Sequence, residues 1–378
     1  MFAVSAIPAA AAAAFTPEAA ALGGLILGIS ASAKLLLTGR VLGISGAMKG
    51  IVTGSEPSPW RFAFLGGMAL GAVAVPYLVP SAVEALPGSL GLGRMAVAGL
   101  MVGLGAALGN GCTSGHGVCG TARFAPRSLA FTATFMAAGA VAAELTNTLA
   151  ALQVPLIQPV FEVLSRSSVQ QYLGIAGVAT AVFATLGAIG ARLKRKSVGS
   201  VDTSGALHTL ELVSEAACGA FFSVGLGVSG MTHPAKMAGF LSILHVQWDA
   251  SLVFVMATAV VISSIAFNSV AGPKLALLPP AVAGNVSTSP IMCPAYSLPP
   301  TGSRIDRRLI LGAVVFGAGL GLGGLCPGPS IVNLFAGATP QVMTHLSFVA
   351  VGMVAEGWLS KALPFLHAGK QPAAAKVE

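Results

Sequence analysis

Nine apolar stretches, each long enough to cross a lipid bilayer, leave this chain few ways to fold. They lie near residues 17–38, 60–82, 90–109, 128–151, 171–192, 207–228, 250–271, 307–325 and 342–364. A spanning helix needs about 20 apolar residues, and in lipid each must satisfy its own backbone groups. Charged residues are only 8% of the 378, with a mean hydropathy of +0.85. A soluble domain carries roughly 25%. The expected fold class is an all-α polytopic membrane protein of about nine transmembrane helices. The 48 glycines suit close helix packing, and the 23 prolines predict broken helices.

A motif occurs twice, each time at the foot of an apolar stretch. The first copy is Gly-Asn-Gly-Cys-Thr-Ser-Gly-His-Gly-Val-Cys-Gly at 109–120, and the second is Gly-Gly-Leu-Cys-Pro-Gly-Pro-Ser at 323–330. With Cys112 laid on Cys326, Arg94 meets Arg308, Gly103 meets Gly317, Gly105 meets Gly319, Leu108 meets Leu322 and Gly109 meets Gly323. This is an internal repeat. It divides the chain into a tail 1–16, a first membrane repeat 17–151, a connector 152–204 holding one span, a second repeat 205–366 and a tail 367–378. Five crossings separate equivalent spans, so the second repeat is expected inverted, about an axis in the membrane plane.

Loop charge sets an orientation. With the N-terminus outside, 17 of the 20 basic residues fall on the inner side. They are Lys34, Arg40, Lys49, Arg61, Arg123, Arg127, Arg192, Lys194, Arg195, Lys196, Lys274, Arg304, Arg307, Arg308, Lys361, Lys370 and Lys376. Arg94, Arg166 and Lys236 remain outside. The expected placement is a multi-pass protein of the plasma (inner) membrane with a cytoplasmic C-terminus. The stretch from Met1 to Ala14 lacks a positive region and reads poorly as a signal peptide. The net charge of +8 is scattered over loops, which argues against nucleic acid.

Four spans carry a Gly- or Pro-interrupted companion, at 37–46, after 109, at 229–240 and after 323. Paired interruptions of this kind point to a transporter's binding site. They are expected as re-entrant half-helices meeting near the midplane, two from each side. Cys112 and Cys326 sit at equivalent breaks, where Gly111, Gly324 and their neighbours are expected to leave backbone N–H groups facing a ligand. A thiol is a soft, weak donor that can hold a sulfur-bearing anion without trapping it. Asn110, Gly111, Ser114, His116, Ser229 and Pro327 are further pathway candidates. Thr113 and Ser114 also suit helix capping, and His116 also suits a structural hydrogen bond to the opposite loop. Lys236 and Arg40 fall at similar places in the other two companions. Lys236 and Arg94, near the outer mouth, are candidates to attract an anion or else snorkelling helix ends. Glu144 and Glu356, inside apolar spans, are expected to prop the adjacent re-entrant loops. Cys119 and Cys218 read as packing residues, and Cys293 lies in the Pro-rich segment 284–303. Cys112 and Cys119 are too far apart for a zinc-ligand pair, the odd cysteine count argues against disulfides, and no ATP-binding loop is present. No metal or cofactor is expected.

The motifs at 39–46, 111–120, 225–236 and 324–329 together resemble those of the YeeE/YedE sulfur-transport family, over roughly residues 24–365. The resemblance implies an inner-membrane protein of nine membrane helices in inverted repeats, with short helices and loops pinching an hourglass, and uptake of thiosulfate, passed between thiols that match Cys112 and Cys326. The family's thiosulfate importers carry a further cysteine near residues 40–46, where this chain reads Arg-Val-Leu-Gly-Ile-Ser-Gly. A separate sulfurtransferase is an expected partner inside the cell. The expected activity is therefore import of a small sulfur-containing anion, most simply thiosulfate. The alternatives are another sulfur or selenium species, or a membrane thiol/persulfide exchange enzyme using Cys112 and Cys119.

Overall fold

The computed structural model describes residues 14–83, 86–196, 202–271, 289–299 and 305–362. Lys274, Arg304, Lys370, Lys376, the tail 367–378 and most of the tail 1–16 lie outside the described residues. The chain is an all-α polytopic membrane protein. Nine helices among the described residues are long and apolar enough to cross a bilayer.

The first half contains α1 (Pro17–Thr38), short α2 (Ile44–Val52), α3 (Pro59–Leu78), α4 (Leu92–Gly109), a π-helix (Thr113–Gly120), α5 (Pro126–Leu145) and the turn α6 (Thr148–Ala151). The connector is α7 (Arg166–Lys196). The second half contains α8 (Asp202–Val228), short α9 (Pro234–Leu241), α10 (Ser251–Ala271), α11 (Arg307–Gly323), short α12 (Pro327–Gly337) and α13 (Pro340–Ala362). Among the described residues, strands are confined to β1 (Ala14–Phe15) and β2 (Val160–Phe161), paired in parallel. The span expected over 128–151 stops at Leu145, because Asn147 takes a left-handed conformation at φ 46° and turns the chain. The connector helix is longer than expected and absorbs the basic cluster at 192–196.

The four interrupted spans share one local device. Gly39 after α1, Asn110 after α4, Gly230 after α8 and Gly324 after α11 are all left-handed, at φ 71°, 60°, 73° and 66°. A left-handed residue past a helix end folds the chain back onto the last carbonyls. Accordingly Gly39 N–H donates to Leu35 O (2.9 Å), Gly111 N–H to Ala106 O (3.0 Å) and Gly324 N–H to Leu320 O (2.8 Å). The chain then re-starts as α2, the π-helix, α9 and α12. Proline at the first position of α9 and α12 costs nothing, because that N–H has no intrahelical partner. The N–H groups of Gly111 and Gly324, expected to face a ligand, are instead consumed in these turns.

Helices α1 and α3 pack on α8 and α10, and α4 and α5 pack on α11 and α13. The contacts recur with partners exchanged. A Cβ on Gly103 would lie 2.0 Å from Val349 O, and one on Gly317 would lie 2.2 Å from Phe135 O. Arg94 Nε donates to Leu322 O (2.8 Å) near the end of α11, and Arg308 Nε donates to Leu108 O (3.3 Å) near the end of α4. Each pair maps onto the other when 112 is laid on 326. Reciprocity of this kind marks a twofold relation. Each arginine sits at the start of one helix and covers the negative end of its antiparallel mate. Arg94 also donates to Thr146 O (3.1 Å) and two threonine hydroxyls. It is thus a helix cap, not an anion lure.

Lys34, counted above among loop charges, lies inside α1 and is 1% exposed. It pairs with fully buried Glu215 of α8 and lies 4.3 Å from the Phe64 ring. Burial of either charge alone would be costly, so the two come as a pair.

Candidate functional site

The two repeated cysteines end up at one place. Cys112 is the N-cap of the π-helix and Cys326 the N-cap of α12, so each carbonyl accepts the first bond of its helix (His116 N–H, 2.8 Å; Ser330 N–H, 3.0 Å). Both thiols are buried, at 1% and 2% exposure, and both line one cavity of about 30 Å³. Ile44 at the start of α2 and Met231 ahead of α9 also line it, so all four short segments contribute. Apolar side chains, among them Leu27, Phe222 and Val255, complete the wall. A space this small holds a water or two and no polyatomic anion, so the constriction is closed.

Hydroxyl groups accompany both thiols. Thr113 Oγ1 lies 3.0 Å from Cys326 Sγ, across the boundary between the repeats. Ser114 Oγ lies 3.2 Å from Cys112 Sγ and accepts a bond from Ile44 N–H at 3.3 Å.

A larger vestibule of about 490 Å³ stops against the first motif. Asn110, Gly111, Gly115 and His116 line it, together with Lys49, Arg61, Arg123, Arg127, Glu56 and Trp60. Of its four cations, Lys49 pairs with Glu356, Arg61 with Glu56 and Arg127 with Asp306. The backbone at 112–114 separates this vestibule from the cavity, since Gly111 and Gly115 face one and Cys112, Thr113 and Ser114 face the other.

The remaining candidates are structural in their contacts. His116 is held by Ser128 Oγ at Nδ1 (3.0 Å) and by Gly109 O at Nε2 (3.1 Å), and stacks on Phe131 at 4.3 Å. Its partners lie in its own half, not in the opposite loop. Ser229 donates to Leu226 O (2.9 Å) and caps α8, while Met231 takes the cavity-lining place. Pro327 opens α12, and Gly328 and Pro329 line the cavity instead. Lys236 is 4% exposed, donates to Ala14 O (2.6 Å) and Thr16 Oγ1 (2.8 Å), and pairs with Asp249 at 3.2 Å. Its charge is neutralised, so it is not an open lure for anions. Nor is it equivalent to Arg40: with Gly39 and Gly230 as matching turns, Arg40 precedes α2 whereas Lys236 lies within α9. Glu144 accepts from Leu244 N–H (3.3 Å) and pairs with His245 (2.9 Å), just past α9. Glu356 pairs with Lys49 of α2 (2.9 Å) and with Arg308, through side chains rather than loop backbone.

Three features escaped the sequence reading. His345 of α13 bonds Ser330 Oγ through Nδ1 (3.0 Å), a mirror of His116 and Ser128 with the two residue types exchanged between helices. Arg40 bridges Glu211 (2.5 Å) and Glu215 (3.3 Å), beside the Lys34 pair. Trp60 has Lys34, Arg40 and Arg61 within 4.8, 5.0 and 4.8 Å of its ring, joining that ionic group to the vestibule wall. Burial pushes the Cys293 thiol up to about 11 despite the nearby Arg40 charge. All five cysteines are free thiols. Among the described residues, no group of three or more His, Cys, Asp or Glu side chains could hold a metal.

Comparison with known proteins divides the chain at the connector. A family model described as sulphur transport matches residues 3–142, and one described as a family of unknown function (DUF6691) matches 210–363. A probable transporter of Xylella fastidiosa strain 9a5c is 35% identical over 149 residues, covering 39% of this chain and 91% of the relative. A probable transporter of strain Temecula1 is 41% identical over 121 residues, covering 31% of this chain and 86% of the relative. Each relative is therefore under half the length of this chain. With its paired thiols, interrupted helices and these relatives, the chain belongs to the YeeE/YedE-like family of membrane sulfur transporters.

Proposed function

We propose that the protein imports a small sulfur-containing anion, thiosulfate first among the candidates, across the plasma (inner) membrane through a pathway lined by Cys112 and Cys326. The observation that carries this reading is the meeting of both thiols, one from each repeat, at one closed cavity. With the N-terminus outside, the orientation that the loop charges favour, the vestibule opens to the cytoplasm. The short segments are re-entrant and meet at the constriction, and the repeats are inverted about an in-plane axis. The dipoles of the π-helix and α12 direct their positive ends at the substrate. Thiol groups bind weakly enough for release, and a separate sulfurtransferase would receive the product.

Growth tests the reading. A thiosulfate-uptake-deficient cell given this chain should grow on thiosulfate as sole sulfur source, and should lose that growth when Cys112 or Cys326 is replaced by serine. Uptake unchanged in both variants sinks the pathway. The rival thiol-exchange enzyme predicts a trapped mixed disulfide between Cys112 and Cys119 during turnover. Cys119, unlike Cys112, lines neither the cavity nor the vestibule, which argues against that rival.

A further inference from the structure

The constriction is closed by a contact that the pathway itself does not require. Cys326 Sγ lies 3.0 Å from the Thr113 hydroxyl. That hydroxyl reaches across from the other repeat. The partner of Cys112, by contrast, is Ser114 in its own motif. Thr113 also stands in the partition between vestibule and cavity, flanked by residues that face each.

Sulfur is a weak acceptor. Hydrogen bonds to an ionised acceptor are roughly twice as strong as neutral ones. Groups that settle on a thiol in the closed state will prefer a charged oxygen or terminal sulfur when one arrives. We propose that Thr113 is a positioning residue that latches Cys326 across the constriction, and that its hydroxyl favours anions able to replace the thiol as its partner. The latch rests on geometry alone, whereas the favoured substrate class rests on the transport reading above.

The full-length protein in membrane vesicles tests this. A negatively charged methanethiosulfonate reagent labels accessible thiols, and mass spectrometry reports the rate at Cys326. Removing one hydrogen bond at a closed contact should speed labelling about fivefold in Thr113→Val, whereas Thr113→Ser, which keeps the hydroxyl, should stay within about twofold of the parent. Thr113→Ala, the smaller replacement, should behave as Thr113→Val and covers the case in which valine disturbs folding. A valine or alanine variant labelled no faster than the parent overturns the latch, and so does a serine variant labelled as fast as valine. Thiosulfate uptake forms the second arm. Thr113→Val should raise KM about fivefold with the maximal rate retained, and Thr113→Ser should restore it. Faster labelling in a protein that takes up no thiosulfate supports the latch and rejects the substrate.

Discussion

The two cysteine motifs share a backbone plan and differ in what surrounds it. In each, a left-handed residue ends a long helix, a cysteine caps a short one, and a proline-initiated helix follows. Each holds a serine–histidine pair at 3.0 Å. Yet the first motif, rich in glycine, winds as a π-helix and forms the floor of the 490 Å³ vestibule. The second, stiffened by Pro327 and Pro329, is a regular α-helix that contributes nothing to that lining. Buried His116 uses both ring nitrogens, whereas fully buried His345 leaves Nε2 without a partner among the described residues. The frame is symmetric and the lining is not: among the described residues, the vestibule reaches the first motif and not the second.

The largest expected effect comes from removing the shared feature. Cys112→Ser and Cys326→Ser should each lower uptake more than about tenfold, a change needing only about 1.4 kcal/mol of lost site affinity. A deficit in one variant alone would break the equivalence of the thiols.

Next comes the asymmetry of access. A Cβ on Gly115 meets nothing within 4 Å, so Gly115→Cys should fold and react with aqueous thiol reagents from the vestibule side. Its counterpart Pro329 is buried, and Pro329→Cys should react at least about tenfold more slowly, since a tenfold ratio needs only about 1.4 kcal/mol. In oriented vesicles the Gly115→Cys signal should come from the cytoplasmic face. Labelling from the opposite face reverses the proposed orientation.

The symmetric frame makes the third prediction. Gly103→Ala and Gly317→Ala each push a Cβ into a facing carbonyl, at 2.0 and 2.2 Å. Each should destabilise by about 1–3 kcal/mol, seen as matching drops in thermal unfolding in detergent. Unequal drops would show that the frame is not shared. The smallest effect is expected at the serine–histidine pairs. Ser128→Ala and Ser330→Ala should each cost about 1 kcal/mol, with the second larger because His345 then has a partner at neither ring nitrogen among the described residues. The same thermal measurement ranks them.

Hydropathy made the spans legible, and their observed limits fall within a few residues of the expected ones except at α5, α7 and the start of α8. Interrupting glycines and prolines located all four short segments, because a left-handed turn or a missing N–H ends a helix wherever it occurs. Where sequence reading failed, it failed on charge. Lys34, Arg94 and Lys236 were treated as loop or mouth charges, since position along the chain does not show which acid or carbonyl waits on another helix. Glu215 for Lys34, Leu322 O for Arg94 and Asp249 for Lys236 become visible only in three dimensions.

Local pattern alone therefore determined that this chain is a polytopic membrane protein with two related halves, four broken helices and a cysteine at two of the breaks. These properties follow from the length of apolar runs and from the backbone preferences of glycine and proline, which act within a few residues. Tertiary structure decided that the two thiols share one closed cavity, that Thr113 crosses between the repeats to reach Cys326, and that candidate lures such as Lys236 are already paired. Those are contacts between residues far apart in the chain. They depend on how closely helices approach and on the need to pair every buried charge, which no single segment encodes.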